Sequence, residues 1–469
     1  MSDTTALPET VTPTGTDGID AEVEQARKRY AARRPRTAAL HERARQYLPG
    51  GNTRSVLYHP PFPLRIARAW DAMLQDADGH EYVDLLGEYS AGLYGHSHPV
   101  VVKAMTDALR EGVSRGAHTR YEVDLAEAIC GRFASIERVR FTNSGTEANL
   151  MALSVARAFT GRDRVMVCRG GYHGGLLTFK DGPSPVNAPY DVVMADYNDA
   201  PGARALLREH ADSIACVLVE PMLGSSGCIP GEADFLAALS DAASQAGALL
   251  IFDEVMTSRT GAGGLQGRLR ITPDLTTLGK YIGGGSSFGA FGGRADVMDL
   301  FDPARPDALP HAGTFNNNVA SMAAGYAGLT RVYPPQVSER HTARGDALRE
   351  KLTAACRSAG APFCVSGVGS LLAIHPVAGP VRSPRDLAGA DPRLRELLFL
   401  DLLELGYYIA PRGYMALSLE LSPAQLAGFV DAVDEALRHR SCLWPQATPT
   451  PRQARAAAGT ARRRAAAKG

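Results

Sequence analysis

Residues Phe235–Val255 read FLAALSDAASQAGALLIFDEV. Across Phe235–Gln245 the apolar residues recur three and four apart, which predicts a helix. Ala248–Phe252 is an unbroken apolar run, and such runs are strands buried on both faces. Asp253 and Glu254 follow at the end of that strand. The same texture recurs upstream, with strands predicted at Val139–Thr142, Arg164–Cys168 and Ile214–Val219 and a helix at Glu147–Phe159. Alternating helices and continuously apolar strands predict an α/β fold whose mostly parallel central sheet is covered by helices. In such sheets ligands bind beyond the carboxyl ends of the strands.

Outward from this core the texture changes. Residues 1–35 are rich in Thr, Pro and Asp, then Arg, and read as a flexible arm. Residues 36–95 hold short strands and turns, including Asp76–Gly79 (DADG), and are expected to join a smaller α+β unit. Residues 96–335 form the large domain. A charged helix at Ser338–Ser358, a strand-like Gly367–His375, a helix at Leu394–Leu405, strand-like pieces at Tyr407–Ala410 and Met415–Leu419, and a helix at Pro423–Arg438 assign residues 336–442 to the small domain. Residues 443–469 are a low-complexity Ala/Arg tail, read as solvated rather than nucleic-acid-binding.

Composition excludes several classes. The 469 residues are 45% hydrophobic and 21% charged, an ordinary globular balance. Fifty Lys and Arg offset fifty Asp and Glu, so no bulk charge recruits nucleic acid or a membrane surface. No apolar run is long enough to span a bilayer. The opening MSDTTALPETV lacks the basic and apolar regions of a secretory leader. The seven cysteines show no CxxC spacing, which suits reduced thiols in the cytoplasm rather than a metal or disulfide framework.

Four groups stand at predicted strand ends. In FTNSGTEAN, Phe141–Asn149, a strand ends where Ser144, Gly145 and Thr146 open a helix. Helix N–H groups and the dipole suit a phosphate there, although an ordinary cap reads the same way. In GGYHGG, Gly170–Gly175, Tyr172 is carried on a glycine-rich loop where its ring can stack on a flat ligand; His173 reads as structural. Asp253 needs a cationic partner to sit at a buried strand end. A protonated ring nitrogen would serve, and Glu220 of VLVEPM could join that network. A magnesium aspartate is disfavoured, because the chain has no GxxxxGK[ST] loop. The fourth group is DLTTLGKYIGGG, Asp274–Gly285, in which Lys280 has no acidic neighbour. Desolvation lowers an amine's pKa and makes it a nucleophile toward aldehydes. Phosphate cradle, aromatic plate, acid for a ring nitrogen and activated lysine converge on pyridoxal 5'-phosphate. A nicotinamide enzyme is disfavoured, since no GxGxxG opens a first βαβ unit. A ligand-sensing regulator would need a DNA-binding module that the N-terminal residues cannot build.

NSGTEAN, GGYHGG, VEPM, FDEV, TTLGKYIGGG and HAGTFNNN resemble the class III, fold-type I pyridoxal-phosphate aminotransferases over roughly residues 40–440. PGGNTRSVLYHPPFPLRIAR and YYIAPRGYMALSLELS resemble most the branch acting on aromatic β-amino acids such as β-phenylalanine. The resemblance implies Lys280 as the Schiff-base lysine and Asp253 as partner of the pyridine nitrogen. It implies Ser144, Gly145 and Thr146 on the phosphate, Tyr172 on one ring face and Val255 on the other. Thr314 would reach the phosphate of a neighbouring subunit, which implies a homodimer with shared sites. Arg54 and Arg412 would grip carboxylates, Arg412 that of the keto-acid acceptor. Tyr89, with Tyr58 and Met415, would line a side-chain pocket, although each reads equally as core. Two departures matter. Ala416 stands where many relatives have an arginine, and Ser225 stands where relatives acting on ω-amino groups often have a glutamate. These speak against ornithine- or γ-aminobutyrate-type activity. They leave a glutamate-1-semialdehyde-type aminomutase as the alternative.

Overall fold

The computed structural model describes residue 7 and residues 16–444. The basic tail expected beyond Trp444 and most of the segment before Thr16 lie outside the described residues.

The largest sheet has seven strands. In chain order they are β1 (Arg138–Thr142), β2 (Arg164–Cys168), β3 (Val192–Ala195), β4 (Ile214–Val219), β5 (Leu249–Asp253), β6 (Leu275–Gly279) and β7 (Gly289–Gly293). Their order across the sheet is β1-β7-β6-β5-β4-β2-β3. β3, β2, β4, β5 and β6 are parallel; β7 runs antiparallel to both its neighbours, β6 and β1. Every residue of β4, β5, β6 and β7 is buried. That burial is why β4 and β5 read as continuous apolar runs rather than as alternating ones; β6, with Thr276 and Thr277 in its middle, and the glycine-rich β7 carry no such signal. Helix α1 (Gly145–Thr160) lies across β6 and β7, and α2 (Ala233–Ala246) covers β5 and β4. The predicted mostly parallel, helix-covered α/β sheet is therefore observed.

The topology brings one set of strand ends together. β1, β2, β4, β5 and β6 all finish at the same edge, so the residues after each of them meet there. In register, Asp253 pairs with Thr277, so β5 keeps its carboxylate inside the sheet rather than just past it.

The N- and C-terminal parts of the chain share a second core. A four-stranded sheet combines Ile66–Trp70, Met73–Asp76 and Glu81–Asp84 with Tyr407–Tyr408. A three-stranded sheet holds Cys364–Val368, Leu371–His375 and Tyr414–Ala416. The expectation of a flexible arm is corrected over its described part, Thr16–Ala32. Thr16–Ala32 is a helix that buries Ile19, Val23, Ala26 and Tyr30 against the helix Pro392–Glu404. Those positions are spaced by four, three and four residues, a helical stripe that the polar composition around it obscured. Charged residues there are buried in pairs: Arg440 donates to both oxygens of Asp401 at 2.8 and 2.7 Å and also meets Glu22. All seven cysteines are free thiols.

Candidate active site

A cavity of about 280 Å³ opens at the shared strand edge. Ser144, Gly145, Thr146, Tyr172, Glu220, Asp253, Val255 and Lys280 line it together. Eight residues expected from separate motifs thus face one space.

The first wall is the N-terminus of α1. Ser144 is its cap, and its hydroxyl oxygen accepts the N–H of Glu147 at 3.2 Å. The N–H groups of Gly145 and Thr146 have no intrahelical acceptor, because they lie in the first turn. A Cβ on Gly145 would stand 2.9 Å from both Val255 methyl groups, and one on Gly174 would stand 2.1 Å from the Thr146 hydroxyl oxygen. Only glycine fits these positions without something shifting.

The floor is Asp253. One carboxylate oxygen accepts from Asn149 Nδ2 at 2.9 Å and from His173 Nδ1 at 2.8 Å; the other accepts the Val255 N–H at 3.0 Å. Thr277 donates to the Asn149 side-chain oxygen at 2.7 Å, which fixes the Asn149 amide with its NH₂ toward Asp253. Because His173 donates from Nδ1, its buried Nε2 is left as an acceptor with no protein partner. The sequence reading missed Asn149 and assigned His173 no more than a structural place. Both sit inside the quoted motifs, yet neither motif says which carboxylate it faces.

Glu220 is buried, with one oxygen accepting the Tyr172 N–H and the other the Gly224 N–H, both at 2.9 Å. Burial pushes its carboxyl up to about 7. Its role as it stands is to hold the Tyr172 loop, whose ring remains 44% exposed and free to meet a flat ligand. Lys280 has φ +56, the left-handed region that non-glycine residues rarely enter. Burial of its ammonium lowers its pKa to about 8, against the opposing pull of Asp253 and Glu220. Its amine therefore carries a usable unprotonated fraction near neutrality. In apoprotein, the rate at which Lys280 captures an added aldehyde should rise about tenfold per pH unit below about 8 and level above it. Glu220→Gln removes a negative charge that favours the ammonium, so its midpoint should fall lower still. A stopped-flow pH series reads both; a midpoint near an ordinary lysine's value would contradict the burial argument.

Other expected residues lie outside this cavity. Tyr89 is buried, stacked on Tyr414 with ring centroids 5.7 Å apart and planes 11° apart. The guanidinium carbons of Arg54 and Arg412 lie 5.5 and 5.1 Å from the Tyr89 ring centre. The two arginines are thus brought to one aromatic ring. Arg412 also donates to the Ser225 hydroxyl at 3.4 Å. Tyr58 is 51% exposed, and Met415 is fully buried in the second core, packed with Leu372, so Met415 lines no pocket. Thr314 is exposed and stands apart from its own chain's cavity, next to an exposed Phe315.

The donor set suits a phosphorylated, flat heteroaromatic aldehyde. Free helix N–H groups would suit an anion, Asp253 a cationic ring nitrogen, and Lys280 an aldehyde. Val255, packed close on Gly145, and Tyr172 both line the cavity.

The Aminotransferase class-III family matches residues 55–437. The β-phenylalanine transaminase of Variovorax paradoxus is 52% identical over 429 residues, which cover 92% of this chain and 99% of that protein. The crystal structure of the β-phenylalanine aminotransferase from that organism superposes with a TM-score of 0.90, covering 92% of this chain and 100% of that one. A glutamate-1-semialdehyde 2,1-aminomutase of Sorangium cellulosum is 41% identical over 405 residues, 82% of this chain and 92% of that protein. With the family spanning the whole sheet and every residue of the cavity, this chain belongs to the class-III aminotransferases.

Proposed function

We propose that this chain transfers the amino group of an aromatic β-amino acid, such as (S)-β-phenylalanine, to a keto acid, 2-oxoglutarate or pyruvate, with pyridoxal 5'-phosphate as cofactor. The observation that carries the chemistry is the meeting of Lys280, Asp253 and the α1 N-terminus in one cavity. Pyridoxal phosphate, when bound, supplies an electron sink for the carbon that bears the amino group. Ser144, Gly145 and Thr146 would hold its phosphate, Tyr172 and Val255 its two faces, and Asp253 its ring nitrogen. Glu220 braces Tyr172. Lys280 Nζ would take the proton from the carbon bearing the nitrogen and return it to the carbon on the far side of that nitrogen, a step for which an amine near pKa 8 is suited. Asp253, supported by Asn149 and His173, would keep a proton on the ring nitrogen.

The substrate reading rests on the pair of guanidiniums at Tyr89. A planar guanidinium binds a carboxylate through two parallel hydrogen bonds. Arg54 takes the donor's carboxylate and Arg412 that of the keto acid, with Tyr89 beneath the aromatic side chain. The 52% identity to a β-phenylalanine transaminase supports this choice over the aminomutase, whose Sorangium cellulosum relative stands at 41%. The enzyme works as a cytoplasmic homodimer in which Thr314 crosses to the neighbouring subunit's phosphate. Its exposure on the single chain supports that reading. Among the described residues no helix is long and apolar enough to cross a membrane.

A panel of aromatic β-, α- and ω-amino donors tests the substrate. Conversion of bound cofactor to its amine form should be fastest with the β-amino acid, and full turnover should consume one keto acid per donor. Fast conversion by another donor class with none by any β-amino acid would sink the substrate assignment. Turnover without an acceptor would point to the aminomutase.

A further inference from the structure

The two arginines at Tyr89 differ in one respect. Arg54 is already engaged by a carboxylate of its own chain, Glu88. Arg412 makes no ion pair among the described residues; the Ser225 hydroxyl is its polar partner, and its buried Nε has none. Glu88 therefore takes up one terminal nitrogen of Arg54, part of the guanidinium surface for which a substrate carboxylate would compete.

The backbone that presents Glu88 is unusual. Gly87, Glu88, Tyr89 and Ser90 have φ of +53, +47, +51 and +77, so three consecutive non-glycine residues sit in the left-handed region. Such residues are strained and persist only where the surroundings over-determine them. Here they are tied at every point. Asp84 accepts the N–H groups of Leu86 and Gly87 at 2.8 and 3.1 Å. The Tyr89 hydroxyl donates to the Val56 carbonyl at 2.9 Å, two residues from Arg54. The fully buried Arg259 donates to the Ser90 carbonyl at 3.2 Å. The turn cannot relax without losing these bonds. It throws the Glu88 side chain toward Arg54 and places the Tyr89 ring within 5.5 and 5.1 Å of the two guanidinium carbons.

We propose that Glu88 is an internal latch: its carboxylate holds Arg54 until a substrate carboxylate displaces it, which makes Glu88 a specificity-determining residue for the carboxylate-bearing donor. The inference rests on the reading that Arg54 takes the donor carboxylate. Both partners of the pair are about half exposed, with side-chain exposures of 44% and 50%. Exchange of one carboxylate for another is therefore a modest contest rather than the breaking of a buried pair. The latch neutralises Arg54 when no acid is present. It also leaves Arg412 as the guanidinium that is open to the keto acid from the start.

The test follows each half-reaction separately by stopped flow on the pyridoxal-phosphate-loaded enzyme. Glu88→Gln should lower the apparent dissociation constant for β-phenylalanine roughly two- to fivefold, the range expected for release of an exposed ion pair. The constants for 1-phenylethylamine, which has no carboxylate, and for 2-oxoglutarate acting on the amine form should not follow it. Glu88→Gly, which suits the left-handed backbone, should shift donor binding in the same direction. A merely structural Glu88 would move all three ligands together. An unchanged or weaker donor constant in Glu88→Gln would overturn the latch. Arg54→Gln separates the two failures: if it leaves β-phenylalanine binding unchanged, the assignment of Arg54 has failed; if it weakens that binding while Glu88→Gln does nothing, the latch alone has failed.

Discussion

Lys280→Ala should lower transamination by roughly four orders of magnitude, because it removes both the amine that joins the cofactor aldehyde and the base that moves the proton. No other amine lines the cavity, so nothing stands ready to replace it. The protein should still fold. Lys280 is in a left-handed conformation, and alanine there keeps some of that strain while removing the cost of burying an ammonium. The linkage has a definite sign. A lysine whose folded pKa lies below its unfolded value binds fewer protons in the native state, so native stability rises with pH between about 8 and 10.5. Lys280→Ala loses that rise, and its stability profile should be flatter in this window. Two measurements check the assignment: the visible absorbance of pyridoxal phosphate joined to lysine, and turnover. A purified Lys280→Ala protein that retains the absorbance band would show that another amine carries the chemistry.

Much of this site could be read from the sequence, for a physical reason. Strands such as Ile214–Val219 are buried on both faces, so their apolar runs announce themselves, and the polar residue that ends each run is conspicuous. Glu220 and Asp253 are such endings, whereas Ser144 is legible as a helix opening, Tyr172 from its glycine-rich loop and Lys280 from the absence of an acidic neighbour. The partners of those residues are not. Asn149 and His173 bond Asp253 across 104 and 80 residues of chain, and neither distance leaves a periodicity in the sequence. Glu220 is satisfied by backbone N–H groups, which no side-chain pattern encodes. The Arg54–Glu88 pair depends on an improbable run of left-handed residues, and propensity argues against such a run. The N-terminal helix erred in the other direction. Its stripe of Ile19, Val23, Ala26 and Tyr30 is present in the sequence, but the surrounding Thr, Pro, Asp and Arg content reads as a flexible arm. Burial was possible because Glu22 and Arg440 neutralise each other inside the core.

Asp253→Asn should cost about two to three orders of magnitude in turnover while leaving cofactor capture largely intact. The size follows from losing one preorganised charge opposite a cationic ring nitrogen, the usual scale for such a contact. The direction follows from the hydrogen bonds. Asp253 accepts from three N–H groups and donates to none. Asparagine at this place must point its NH₂ either at Asn149 and His173 or at the Val255 N–H, so donor faces donor in both orientations. An unsatisfied buried donor costs about 1–3 kcal/mol, and the variant should melt a few degrees lower. His173 can relieve part of that conflict by moving its proton to Nε2, which is free of protein partners. With either His173 tautomer the ring nitrogen would face a neutral amide. The charge of Asp253 also raises the Lys280 pKa, so the midpoint for aldehyde capture in Asp253→Asn should fall below about 8 rather than rise. Turnover, melting temperature and the capture profile therefore move in specified directions together. Asp253→Asn with wild-type turnover and bound cofactor would remove Asp253 from the chemistry and leave it only a structural acceptor for Asn149 and His173. Loss of cofactor binding together with turnover would instead assign it to holding the ring in place.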